Sequence, residues 1–157
     1  MEVKKAGAED VAALVQLRLA YLREDSGEMD GDTAAALRAR LPGYFRETLN
    51  QTLFAYLLRD GDAAVACAFL LVVLKPMSPA FPNGRTGTVL NVYTHPAFRR
   101  KGYGRAVMEA LLRDAEIMEL SAVELKATAD GYPLYRALGF EDGNGKYRPM
   151  RWTGPVQ

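Results

Sequence analysis

Arg99-Arg100-Lys101-Gly102-Tyr103-Gly104-Arg105 is a basic turn punctuated by two glycines, and it separates two stretches of different periodicity. Before it, Thr88-Val-Leu-Asn-Val-Tyr-Thr94 is rich in β-branched and aromatic residues, the composition of a strand. After it, Val107, Ala110, Leu111, Ala115 and Met118 recur at helical spacing. A strand that turns into a helix through such a segment builds an anion site. The first N–H groups of a helix have no partner inside it, and the positive end of the dipole is there. Glycine at 102 and 104 lets the backbone curl and approach a ligand without a Cβ in the way. Two familiar phosphate loops fail on spacing: Val107 stands where a G-x-G-x-x-G fingerprint needs glycine, and no Lys-Ser/Thr pair follows the last glycine as in a P-loop.

Working outward, 157 residues suit a single domain spanning 1–157, and 49% hydrophobic residues is ordinary for a globular protein. The net charge is +1, from 20 Lys and Arg against 19 Asp and Glu, so no global field draws in nucleic acid or an anionic membrane. The basic turn lacks the interleaved aromatic platforms of a nucleic-acid groove. No run of eighteen apolar residues occurs, and no apolar stretch follows the charges at the amino terminus, which leads us to expect a cytoplasmic protein without a membrane partner. The single cysteine, Cys67, lies in an apolar run and reads as a buried structural thiol. With one histidine and one cysteine, no metal site is expected.

The rest of the chain reads as a short strand over 2–5, then a helix from Val11 to Leu22. An acidic connection from Glu24 to Asp32 leads to a second helix from Thr33 to about Asn50, irregular at Pro42-Gly43. Strands are expected over Leu53–Arg59 and Ala63–Leu74, joined at Asp60-Gly61-Asp62, with a proline-rich loop from Lys75 to Thr86. The strand Gly87–Thr94, the glycine turn and the long helix follow. Then come a strand at Ala122–Ala127, a short helix at Pro133–Leu138 and a closing hairpin from Glu141 to Trp152 across Gly143-Asn-Gly145.

The pattern Arg-x-x-Gly-x-Gly resembles the acyl-coenzyme A pyrophosphate loop of the GNAT superfamily of N-acetyltransferases. The elements around it occur in that superfamily's order, down to Pro133-Leu-Tyr-Arg-Ala-Leu-Gly-Phe140. The resemblance implies an α/β fold, with a mixed central sheet, helices on both faces and a cofactor cleft where the strand before the loop splays from the strand Ala122–Ala127. It implies transfer of an acetyl group from acetyl-CoA directly to a primary amine. The backbones of Val92 and Thr94 would pair with the pantetheine arm. The amides between Arg100 and Arg105, through Lys101, Gly102, Tyr103 and Gly104, would hold the pyrophosphate, with charge from Arg99, Lys101 and Arg105. Thr128 stands where many relatives have asparagine in a cofactor contact. The expected partner is a small-molecule or peptide amine, with a homodimer left open.

In the same family a tyrosine at the place of Tyr135 protonates the departing thiolate; the competing reading is a core aromatic packed on Leu138 and Phe140. The base is harder to place. Some relatives use a glutamate on the strand before the loop, but Thr88 stands there, which leaves a water held by Asn91 or another polar group, a carboxylate from Glu24 to Asp32, or an acceptor that arrives unprotonated. Asn91, odd in an apolar strand, reads equally as a catalytic-site residue and as a structural hydrogen-bonding one. His95 reads as a structural turn residue ahead of a catalytic one. Trp152 reads as packing or interface. A non-catalytic acyl-CoA-binding or regulatory module is the alternative function, since it would keep the loop without requiring Tyr135.

Overall fold

The computed structural model describes residues 2–156, which divide into two compact units, one through Lys126 and one from Ala127. The first unit holds a five-stranded sheet ordered β1-β2-β3-β4-β5. Its strands are β1 (Val3–Lys5), β2 (Leu53–Asp60), β3 (Ala63–Leu74), β4 (Arg85–Thr94) and β5 (Ala122–Glu124). From β1 to β4 each strand runs antiparallel to its neighbour, and β5 joins β4 in parallel, so the sheet is mixed. Helices α1 (Val11–Ser26), α2 (Gly31–Thr48) and α3 (Tyr103–Ile117) complete this unit, and α4 (Tyr132–Ala137) belongs to the second.

Alternation along β2 explains why helices cover both faces. Ala55 and Leu57 pack into one cluster with Leu14 and Leu17 of α1 and Phe45 of α2. The intervening Tyr56 and Leu58 are just as buried but lie outside that cluster, and the Tyr56 hydroxyl donates to Asp114 Oδ2 of α3 at 2.6 Å. Successive strand side chains point to opposite faces, so α1 and α2 cover one face and α3 the other. The α3 side chains Val107, Met108, Leu111 and Ala115 are buried; each larger one contributes about 1.5–3 kcal/mol through burial. At the β2–β3 turn, Asp60 pairs with Ala63, and Gly61 takes φ 61°, as the first central position of a type II′ hairpin requires.

A buried carboxylate ties the start of α1 to the sheet. Asp10, 2% exposed, accepts from the Gly7 N–H at 2.9 Å and pairs with Arg59 at 3.0 Å and Lys4 at 2.9 Å. Burial alone would raise its pKa, but the Gly7 N–H and the Lys4 and Arg59 side chains outweigh it and hold the carboxyl below the usual aspartate range.

Several boundaries differ from the sequence reading. The acidic connection shrinks to residues 27–30, because α1 runs on to Ser26 and α2 begins at Gly31. There Asp30 caps α2 by accepting from the Thr33 N–H at 2.8 Å. α2 runs through Pro42 without ending there, with Leu41 and Phe45 packed into the core on either side. The strand expected to reach Ala127 stops at Glu124. The closing hairpin is corrected outright, since residues 141–156 form no strand. Gly143, Gly145 and Pro149 weaken a ladder, and the segment has no alternating apolar face; Tyr147, Met150 and Trp152 are all exposed.

Candidate functional site

β4 pairs with β5 only at Thr86–Ala122, Gly87–Val123 and Thr88–Glu124. From Val89 onward the β5 side of β4 has no strand partner among the described residues. Val92 and Thr94 lie on this open stretch; the Thr94 carbonyl is taken by Arg99 Nε at 2.8 Å, and Val92 leaves its backbone groups on that edge open to an extended ligand.

On its other edge β4 carries a bulge. Cys67 faces Tyr93 and Phe69 faces Leu90, so Ala68 alone stands opposite both Asn91 and Val92. Asn91 adopts φ 54°, a left-handed conformation that asparagine tolerates better than most residues, and it is 3% exposed. Its side chain is engaged on both sides: Oδ1 accepts from Arg18 Nη1 at 3.1 Å, and Nδ2 donates to Cys67 Sγ at 3.4 Å. The Cys67 thiol in turn reaches Asn91 O at 3.4 Å. Burial pushes that thiol up to about 12, against weaker opposing effects from Asn91, the backbone and Arg18, so Cys67 remains protonated and structural.

The glycine turn emerges from β4 through a 3₁₀ turn, Pro96–Phe98, which His95 caps: its Nδ1 accepts from the Ala97 N–H at 3.2 Å. Arg100 at φ 64° and Gly102 at φ 82° then bend the chain into α3. Ala106 is the first amide of α3 to find a carbonyl, Gly102 O at 3.0 Å. The amides from Arg100 to Arg105 have no protein acceptor among the described residues. Such a run of unpaired donors at a helix start fits an anion.

The cations of the turn are not equivalent. Arg99 donates through Nε to Thr94 O at 2.8 Å, lies 5.8 Å from the Tyr93 ring centroid, and pairs with Glu24 in the last turn of α1. Arg105 is 3.8 Å from Glu109, and Lys101 lies over Phe98. Arg100 and Lys101 have no carboxylate within 4.0 Å among the described residues. Tyr103 stacks on Phe98, with ring centroids 6.4 Å apart.

Thr128 and Tyr135 sit together in the second unit. Thr128 Oγ1 accepts from the Gly131 N–H at 3.1 Å just before α4. Tyr135, on α4, is buried with its ring edge-on to Phe140 at 6.0 Å, and a Cβ at Gly131 would come within 2.8 Å of that ring. The missing Cβ at Gly131 is what lets the tyrosine ring pack there.

Two residues escaped the sequence reading. Glu24 appears there only within an acidic stretch, and its pairing with Arg99 spans 75 positions. Arg18 was legible as an anomaly: it stands on the apolar stripe of α1, four residues after Leu14 and three before Tyr21.

Comparison with known proteins adds the following. The model of the acetyltransferase (GNAT) family matches residues 13–140. An uncharacterised N-acetyltransferase, ycf52, from Porphyra purpurea is 34% identical over 70 residues, and that of Pyropia yezoensis 31%. The matched stretch spans 45% of this chain and 40% of each relative. A crystal structure described as a predicted acetyltransferase with acetyl-CoA from Clostridium acetobutylicum superposes with TM-score 0.82 at 24% identity, covering 96% of this chain and 95% of that one. A GCN5-related N-acetyltransferase from Ralstonia eutropha gives 0.78 at 26% identity, covering 95% and 97%.

Proposed function

The chain belongs to the acetyltransferase (GNAT) family, and from that premise we propose that it transfers an acetyl group from acetyl-CoA directly to a primary amine. The observation that carries this reading is the run of unpaired amides from Arg100 to Arg105 at the start of α3, which suits a pyrophosphate. The open edge of β4 at Val92 and Thr94 suits the pantetheine arm, and the uncommitted charges of Arg100 and Lys101 suit phosphate.

The donor supplies a thioester. A carbon–nitrogen bond forms to the acceptor as the carbon–sulfur bond breaks; the amine gives up a proton and the sulfur leaves as a thiolate. Tyr135 is the group we assign to protonate that sulfur. Asn91 is assigned to hold the bulge that turns the Val92 backbone toward the donor. The acceptor is a small molecule or peptide.

Calorimetric titration with acetyl-CoA and coenzyme A tests the cofactor assignment, and thiol release with a panel of amines tests transfer. Tyr135→Phe keeps the ring against Phe140 and removes the hydroxyl. It should lower turnover about 10²–10⁴-fold with acetyl-CoA affinity unchanged. Full turnover by a folded Tyr135→Phe protein would remove the tyrosine as the acid, and binding without thiol release from any amine would favour a non-catalytic acyl-CoA module.

A further inference from the structure

We propose that Arg18 selects an acceptor amine that also carries a carboxylate, a proposal that rests on the acetyl-transfer reading above. Arg18 lies on the side of α1 that Leu14 and Tyr21 turn toward the sheet. It is half-buried, its Nη1 donates to Asn91 Oδ1 at 3.1 Å, and its guanidinium stands 5.9 Å from the Tyr21 ring centroid. No carboxylate of the described residues lies within 4.0 Å of it. The nearest candidates along the helix do not serve: Glu24 pairs with Arg99, and Asp25 acts on Tyr21 without reaching Arg18. Its remaining Nε and Nη2 donors have no protein partner. Since no buried side-chain polar atom among the described residues lacks a hydrogen bond, those donors face solvent.

A cation drawn off the surface without a counter-ion is unfavourable for folding. Here it is also anchored, because the amide that holds its head is buried and left-handed at the β4 bulge. The result is a guanidinium edge fixed against Asn91, the residue before Val92, with a planar fork of donors that matches a carboxylate. The donor's phosphates have their own amides and cations at 100–105. Arg18, on the α1 face, is left to orient the other substrate. For an amino acid, one contact to the carboxylate would fix the position of the amine.

The test compares wild type, Arg18→Gln and Arg18→Lys, each checked for a cooperative melt. Acetyl-CoA binding is measured by calorimetry, and thiol release is followed with matched pairs of L-amino acids and their amides, which keep the amine and remove the negative charge. The amide's amine is less basic, so more of it is unprotonated at neutral pH, and a preference for the acid therefore reports recognition. We expect wild type to favour the acid in at least one pair by roughly 10–100-fold in kcat/KM, the worth of hydrogen bonds to a charged group. Arg18→Gln should bring that ratio near one, and Arg18→Lys, a point charge without the fork, should fall between. Acetyl-CoA affinity should not change. Turnover without preference for any acid, a preference that survives in Arg18→Gln, or loss of acetyl-CoA binding in that variant would each overturn the proposal. Failure of wild type to bind acetyl-CoA would sink the transfer reading itself and this proposal with it.

Discussion

Glu24 in the last turn of α1 and Arg99 in the glycine turn form an ion pair across 75 positions of sequence. Both side chains are more than a third exposed, so the pair adds only about 0.5 kcal/mol to stability. Its electrostatic effect is larger than its structural one. Glu24 offsets one of the positive charges that an incoming anion would meet.

Glu24→Gln is therefore expected to tighten coenzyme A binding a few-fold at low ionic strength, with the gain fading in salt and the melting temperature almost unmoved. An affinity that ignores both the substitution and the salt would place the phosphates away from Arg99.

Gly102 has φ 82°, yet nothing lies within 4 Å of where its Cβ would be. Its requirement is conformational and not steric. Gly102→Ala should destabilise by about 1 kcal/mol, and Gly102→Asn, though larger, should cost less, because asparagine enters the left-handed region more readily. Coenzyme A affinity should follow the same order. Equal losses for both variants in thermal melts would point to crowding instead.

The Asp10 carboxyl titrates below its unfolded value. Its contribution to stability is present above about pH 4, the unfolded aspartate range, and is lost as pH falls through the folded value. Asp10→Asn should destabilise by on the order of 2 kcal/mol at neutral pH and flatten the acid limb of a stability-versus-pH curve from urea denaturation. An unchanged acid limb would show that other carboxylates, such as Asp114 beside Lys5 and Tyr56, set it.

Cys67 is fully buried with its pKa pushed up to about 12. Native protein should resist alkylation by iodoacetamide at neutral pH and react only in denaturant. Rapid native labelling would mean that the β3–β4 region opens.

What could be read from the sequence depended on how local its cause was. The glycine turn is legible because its glycines, its cations and the unpaired amides that follow all belong to one short segment. The hairpin β2–β3 is legible for the same reason, through Gly61. Asn91 stands out as polar in an apolar strand, but its bulge, its left-handed backbone and its partners Cys67 and Arg18 depend on pairings with β3 and α1. Arg18 breaks an apolar stripe in plain sight, and only the approach of α1 to β4 turns that break into a contact. The turn signal at Gly143-Asn-Gly145 misled because a hairpin also needs flanking strands with a face to bury, and the flanks here lack an alternating apolar face.

Deleting Asn91 would leave β4 in frame. Leu90 already faces Phe69 and Tyr93 already faces Cys67, so without Asn91 a single residue, Val92, stands opposite Ala68 and the ladder runs without interruption. In an ordinary strand the loss of one residue throws the following side chains to the wrong face; in this one it should regularise them. The deleted protein is expected to melt cooperatively and to lack thiol release, and an unfolded product would instead make Asn91 indispensable to the core. Folding competence and acetyl transfer would then be separable by a single codon in this chain.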